Sequence, residues 1–90
     1  MNNEIGFYIT GKLMINKNGE RQAADDAEIR FFYDGKLMAM TATDLSGKFK
    51  LAGLNNGKYI LDCVIDDRSS IRCEAVIEQC NVDLGTLVFG

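Results

Sequence analysis

Three cysteines are the residues of this 90-residue chain best suited to covalent or metal chemistry. Cys63, Cys73 and Cys80 show no CxxC spacing and are odd in number, so they indicate neither a disulfide framework nor a zinc site. Cys63 and Cys73 fall on the apolar phase of their predicted strands, and free cysteine is among the most buried residue types. We therefore expect reduced thiols in the core, with a disulfide between these two as the alternative.

The other groups that could do chemistry are absent or scattered. The chain has no histidine, so it lacks Ser-His and Cys-His nucleophile activation and imidazole metal ligands. Asp25-Asp26 could supply half of a calcium site, but no other spaced carboxylate lies near it. The remaining turn carboxylates occupy separate predicted turns, where Asp is locally useful: Asp34, Asp44 and Asp66-Asp67. We predict no catalytic residue, no cofactor and no metal ligand.

The stretch from Thr41 to Tyr59 predicts the elements that position these groups. Asp44 and Gly47 are typical turn residues, because an Asp side chain accepts nearby backbone amides and Gly tolerates positive φ. Phe49 begins an alternation of apolar and lysine residues, as in a half-buried strand. Asn55-Asn56-Gly57 indicates a second turn, so two turns bracket one short strand.

Within it, Thr43 to Tyr59 reads Thr-Asp-x-x-Gly-x-Phe-x-Leu-x-x-Leu-x-x-Gly-x-Tyr, which resembles the carboxypeptidase regulatory-like, or transthyretin-like, β-sandwich domain. Three other segments resemble that family's first, second and closing strands: Ile9-Thr-Gly-Lys-Leu13, Asp26-Ala-Glu-Ile-Arg-Phe31 and Val82-Asp-Leu-Gly-Thr-Leu87. The resemblance spans roughly residues 7 to 89. It implies one domain, residues 1–90, folded as an all-β, seven-stranded, transthyretin-like (Ig-like or prealbumin-like) β-sandwich.

The resemblance also implies how the strands divide between two sheets. The second, third and fifth predicted strands share one sheet, and the first, fourth, sixth and seventh form the other. The sixth strand is Ile71 to Ile77. In the seventh, Gly85 is expected to be a bulge that turns Leu84 and Leu87 toward the core. Residues 16–26 are expected to be a polar loop.

Two relatives bear on function. A transthyretin-like enzyme that hydrolyses 5-hydroxyisourate depends on histidines and a C-terminal Tyr-Arg-Gly-Ser motif, and this chain has neither. The B-type repeat of bacterial adhesins can form a Lys-Asn isopeptide bond, which needs a carboxylate where this chain has Cys63. Lys12 and Asn81 are therefore expected to be a surface lysine and a turn residue. We predict a non-catalytic accessory module for protein interaction, docking or spacing, the alternatives being an adhesin-type (Cna B-like) structural repeat or an enzyme of unrecognised type.

Residues 27–43 predict a β-hairpin with Asp34-Gly35 as its type I′ turn. Opposed residue numbers then sum to 69, which pairs Ile29 with Met40 and Phe31 with Met38 on the core face. On the outer face, Phe32 pairs with Leu37, and Ala39 lies beside them.

The outer face of this sheet is the predicted interaction site. Its apolar side chains are Phe32, Leu37, Ala39, Ile60 and Val64. Such a patch could reach a few hundred Å², near the size typical of interfaces. We expect it to dock a protein partner or a second copy of the chain, with Phe32 as the anchor. The alternatives are that an N-terminal segment with Phe7 and Tyr8 covers it, or that it is merely tolerated.

Composition limits the partners. A net charge of −3 and a pI near 4.8 argue against nucleic acid, and no apolar run approaches the roughly 18 residues of a membrane span. The N-terminus shows neither the basic region nor the apolar stretch of a secretory signal. The sequence is therefore expected to be cytoplasmic or a fragment of a longer, exported protein.

Overall fold

Two four-stranded β-sheets make up the fold. The structure is a computed structural model and describes residues 6–66 and 69–89. The strands are β1 (Phe7–Lys17), β2 (Glu20–Ala23), β3 (Glu28–Tyr33), β4 (Lys36–Ala42), β5 (Lys48–Leu54), β6 (Gly57–Asp66), β7 (Ser69–Ile77) and β8 (Val82–Phe89). The all-β prediction is confirmed, with eight strands rather than seven, because β2 forms inside the expected polar loop. Over this part of the chain, no helix long and apolar enough to cross a membrane is present.

Sheet A contains β1, β2, β5 and β8, with β1 at its centre. β2 and β5 pair antiparallel to β1, and β8 pairs parallel to it. Sheet B has the order β4-β3-β6-β7 and is antiparallel throughout. The prediction that the sixth strand, here β7, belongs with β1 is wrong. β7 follows β6 after a short connection and pairs with it from Gly57↔Ile77 onward, as consecutive strands usually do.

The core lies between the sheets and takes alternate residues from each strand. Ile9 and Leu13 from β1 are fully buried, and Gly11 lies between them, as the alternation predicted. A Cβ at Gly11 would lie 2.5 Å from the Phe49 ring, so this glycine makes room for that aromatic side chain. Sheet B contributes a larger set: Ile29, Phe31, Tyr59, Leu61, Cys63, Ala75 and Ile77.

β8 closes sheet A as predicted. Gly85 has a φ of 72°, and the register with β1 shifts beside it, between the pairs that involve Thr10 and Lys12. Because β8 has one extra residue here, the side chains that follow the glycine change face. Leu84 and Leu87 therefore both pack against the core.

The β3–β4 hairpin begins as predicted and then departs from the predicted register. Asp34 and Gly35 both have positive φ, 53° and 77°, as a type I′ turn requires. Phe32 pairs with Leu37, which confirms the register next to the turn. Beyond this pair the register shifts, so that Phe31 faces Ala39 instead of Met38. One extra residue on β4 forms a bulge, which turns every later side chain of the strand to the other face.

Because of this bulge, the predicted core positions of Met38 and Met40 are wrong. These side chains are 50% and 56% exposed. Ala39 packs against the core in their place, and Thr41 lies opposite buried Ile29.

The segment between β4 and β5 joins several loops through hydrogen bonds. The buried Thr43 hydroxyl accepts a bond from Ala27 N–H at 2.8 Å and donates one to the Ala24 carbonyl. Leu13 N–H donates to the Gly47 carbonyl at 2.7 Å. Gly47 has a φ of 81°, and a Cβ there would lie 2.4 Å from the Leu13 oxygen. The Thr-Asp-x-x-Gly pattern is thus a structural junction between the sheets.

Candidate interaction surface

The outer face of sheet B is arranged in cross-strand rows. One row runs from Leu37 through Phe32 and Ile60 to Glu74, so three neighbouring strands each contribute an apolar side chain. Phe32 and Ile60 are half-buried, while Leu37 at the sheet edge is 51% exposed. This row is a continuous apolar strip that ends at a carboxylate.

The next row on the same face is mostly charged. It runs from Met40 through Arg30 and Asp62 to Arg72. Beyond it, Val64 pairs with Glu28 on one side and Ser70 on the other. Val64 is therefore separated from the apolar strip, although it lies on the predicted face.

The structure brings four of the five predicted side chains onto this face and removes one. Phe32, Leu37, Ile60 and Val64 point outward, in phase with each other across the pairs described above. Ala39 does not, because the β4 bulge turns it inward against the core. Arg72 and Glu74, expected on the other sheet, belong to this face because β7 lies in sheet B.

Sequence reasoning missed the methionines of β4. Leu37, Met38 and Met40 are all at least half exposed, and they lie on one edge strand. The sequence signal that could have found them is weak, since a bulge inside a hairpin has no glycine marker here. With Phe32 and Ile60 they form what we call the interaction face: Phe32, Leu37, Met38, Met40 and Ile60.

The charges around the interaction face are paired with each other. Arg72 reaches Asp62 at 3.5 Å, and Lys58 reaches Glu74 at 3.1 Å. Arg30 Nε contacts the Glu28 carboxylate. Exposed pairs of this kind add little stability. They do leave the rim of the face close to neutral, and such a rim suits a protein partner better than a polyanionic partner.

Two shallow depressions border the apolar strip. One, of about 250 Å³, is lined by Phe32, Gly35, Ile60 and Arg72. The other, of about 570 Å³, lies at the hairpin tip against Tyr33 and Lys58. Arg72 is the charged side chain against the first depression, and Asp34 and Lys58 lie against the second.

Phe7 and Tyr8, the alternative cover considered from the sequence, do not lie over this face. Phe7 and Tyr8 belong to β1 of sheet A, where Phe7 packs against the core. The Tyr8 ring lies 4.4 Å from Lys50 Nζ on the outer side of that sheet. Among the residues that the structure describes, none of this segment reaches the interaction face.

The carboxylates of the described turns have structural roles. Asp44 Oδ1 accepts bonds from Ser46 N–H at 2.8 Å and Lys48 N–H at 2.9 Å. The bond from the Lys48 amide lowers the pKa of Asp44. Asp34 lies in a different turn, that of the β3–β4 hairpin, and Asp67 is outside the described residues. Within the described part of the chain, no three His, Cys, Asp or Glu side chains are grouped to hold a metal ion.

Lys12 and Asn81 are the residues considered above in connection with the Lys-Asn isopeptide bond of adhesin repeats. Lys12 is on the outer side of sheet A, opposite Lys48 and Thr86. Asn81 is exposed before β8, and its side-chain oxygen accepts the Tyr8 N–H at 2.9 Å. Lys12 is thus on the outer side of a sheet as predicted, and Asn81 lies in the connection before β8.

No family model and no curated protein matches the sequence, but solved structures do. The 5-hydroxyisourate hydrolase of Klebsiella pneumoniae is 15% identical, with a TM-score of 0.67 over 93% of this chain and 91% of that chain. A variant of BcpA, the major pilin subunit of Bacillus cereus, is 13% identical, with a TM-score of 0.65 over 96% of this chain and 30% of that chain. A candidate carbohydrate-binding protein of Pseudomonas aeruginosa is 11% identical, with a TM-score of 0.66 over 98% and 90%. The chain therefore has the transthyretin-like, carboxypeptidase regulatory-like β-sandwich fold that its sequence pattern predicted.

Proposed function

We propose that the chain is a non-catalytic accessory domain that docks another protein through the interaction face of sheet B. The observation that carries this proposal is the concentration of exposed apolar side chains on β4, where Leu37, Met38 and Met40 are each at least half exposed. Single exposed apolar residues are ordinary, but a contiguous group on one strand is typical of an interface.

The make-up of the face fits a protein partner. Aromatic and methionine side chains are enriched at interfaces, and methionine adapts its shape to an irregular surface. Phe32 and Ile60 supply a half-buried floor, and the β4 side chains supply the exposed contact. The charges at the rim are already paired with each other, so a docked partner would not leave an unpaired charge at the edge of the interface.

The structural similarities support an accessory role. The match to the pilin subunit covers 30% of that protein, so a sandwich of this kind occurs there within a larger chain. The match to the hydrolase shares the fold at 15% identity. This chain has no histidine, so it lacks the side chain that most often acts as a general acid or base.

A pair of matched double variants tests the proposal. Leu37→Lys with Met40→Lys places two charges on the interaction face, and Leu45→Lys with Val88→Lys places two charges on exposed apolar sites elsewhere. Self-association is measured by sedimentation, and a partner recovered from the native cell is purified and titrated against each variant. We expect the first pair to weaken binding by about 30-fold or more, as loss of an interface hot spot does. The proposal is wrong if both pairs bind equally well.

An adhesin-type structural repeat is the second candidate, favoured by the similarity to the pilin subunit. Tandem copies of the domain in the complete gene product would support it. Such a repeat needs no partner on the interaction face, so the same variants distinguish the two functions.

A further inference from the structure

Two cysteines lie side by side on the inner face of sheet B. In the β6–β7 register, Cys63 faces Ile71 and Cys73 faces Leu61. The two cysteines are therefore diagonal neighbours across adjacent strands and point to the same side. Cys63 is fully buried, while Cys73 is half-buried on the edge strand β7.

This diagonal geometry brings the sulfurs together without joining them. Diagonal Cα atoms in an antiparallel pair are about 7–8 Å apart, beyond the usual span of a disulfide. Both thiols are free, and the register places their side chains next to each other on one face. A hydrogen bond with Cys73, together with burial, raises the pKa of Cys63. The same bond lowers the pKa of Cys73, because the Cys63 thiol stabilises a Cys73 thiolate.

We propose that Cys63 and Cys73 form a two-thiolate site for a soft monovalent cation, Cu(I) or Ag(I). Thiolates select soft ions, and these two ions accept two sulfur ligands in a nearly linear arrangement. An ion between the sulfurs spans a longer gap than a disulfide bond, because two metal–sulfur bonds of about 2.3 Å replace one bond of about 2.05 Å. The register therefore suits a bridging ion better than direct oxidation.

The binding step exchanges protons for the cation. Two S–H bonds break, two metal–sulfur bonds form, and two protons pass to solvent, with no change of oxidation state. Cys73 is the entry point, since it is the half-exposed member of the pair on an edge strand. The bound complex carries one negative charge, and the Asp62 carboxylate, which also raises the pKa of Cys63, lies on the opposite face of β6.

The test uses a Cys80→Ser variant, which removes the exposed third thiol. Anaerobic Cu(I) titration against a chromophoric chelator should show one ion per chain, and native mass spectrometry should show one Ag(I) per chain. Adding Cys73→Ser should weaken binding by about 100-fold or more, since even changes outside the ligand set cost 10–100-fold. X-ray absorption of the Cu(I) form should show two sulfur neighbours.

Folding is checked separately, so that the result is not ambiguous. Cys73 is half-buried, and its Ser variant should keep the far-UV circular dichroism of the parent. If Cys63→Ser unfolds, Cys73→Ser still decides the question. Equal affinity with and without Cys73, a single sulfur neighbour, or one ion shared by two chains would each overturn the proposal.

Discussion

The buried hydroxyl of Thr43 offers the sharpest test of how this fold is held together. Thr43 is 5% exposed, and its hydroxyl is bonded to both Ala27 N–H and the Ala24 carbonyl. Both alanines are themselves buried. Thr43→Val keeps the shape of the side chain and removes these two bonds, so it leaves a donor and an acceptor without a partner and away from water.

The expected cost follows from these two groups. Each buried polar group left unpaired costs about 1–3 kcal/mol, so the variant should lose about 2–6 kcal/mol. A domain of this size has a total stability of about 5–15 kcal/mol, and each kcal/mol shifts its Tm by about 4–8 °C. We therefore expect a Tm at least about 8 °C below that of the parent.

Thermal and urea unfolding, followed by circular dichroism, measure this loss. Thr43→Ser is the matched control, because it keeps the hydroxyl and loses one methyl group, which is worth about 0.8 kcal/mol. The reasoning fails if Thr43→Val unfolds within about 0.5 kcal/mol of the parent, or if the Ser variant is as unstable as the Val variant.

Four further outcomes are expected. Gly47→Ala should destabilise the fold by more than about 2 kcal/mol in urea unfolding, because its φ is positive and a backbone oxygen blocks the Cβ; an unchanged midpoint would contradict the junction. Burial raises the pKa of Tyr59, so the parent should lose stability relative to Tyr59→Phe as the pH rises above 10, and parallel pH profiles would argue against this. Alkylation of the native chain should modify Cys80 first, Cys73 next and Cys63 last, and equal rates would mean that the β6–β7 packing is wrong. The reduced intact mass should equal the sequence mass apart from the initiator Met, whereas a deficit of one ammonia or water would reveal an internal bond.

Local turn chemistry was the part of the fold that the sequence predicted well. Asp34-Gly35 and Gly47 adopt the positive φ values that their residue types favour. Gly85 forms the bulge that its place in an apolar run suggested. Each of these is decided by a few neighbouring residues, so one sequence is enough to predict them.

The errors arose where the outcome depends on distant strands. The β4 bulge follows Phe32 without a glycine or proline to mark it, and one inserted residue moved Ala39 and Met40 to opposite faces from those predicted. β7 was assigned to the other sheet because the resemblance implied that division of the strands, and its own alternation fits either sheet equally well. β2 was missed because its residues are polar and pair only with the far end of β1.

The candidate site likewise has one part that depends on neighbouring residues and another part that depends on distant strands. The pairing of Phe32 with Leu37 was predictable, since it depends on the residues next to the Asp34-Gly35 turn, whereas the place of Ile60 on the same face came from the resemblance. The exposed methionines beyond the bulge were not predictable, and they supply much of the exposed apolar surface. The pairing of two thiols across β6 and β7 also required the register, because both cysteines read as ordinary core residues in the sequence.

The parallel pairing of β8 with β1 has a consequence for synthesis. The contact between Tyr8 and Asn81 joins residues 73 positions apart, so the central strand of sheet A receives one of its neighbours only after nearly all of the described chain has been made. Such non-local closure makes folding slow. During translation, β1 presents an open edge to the ribosome surface, to chaperones and to neighbouring nascent chains.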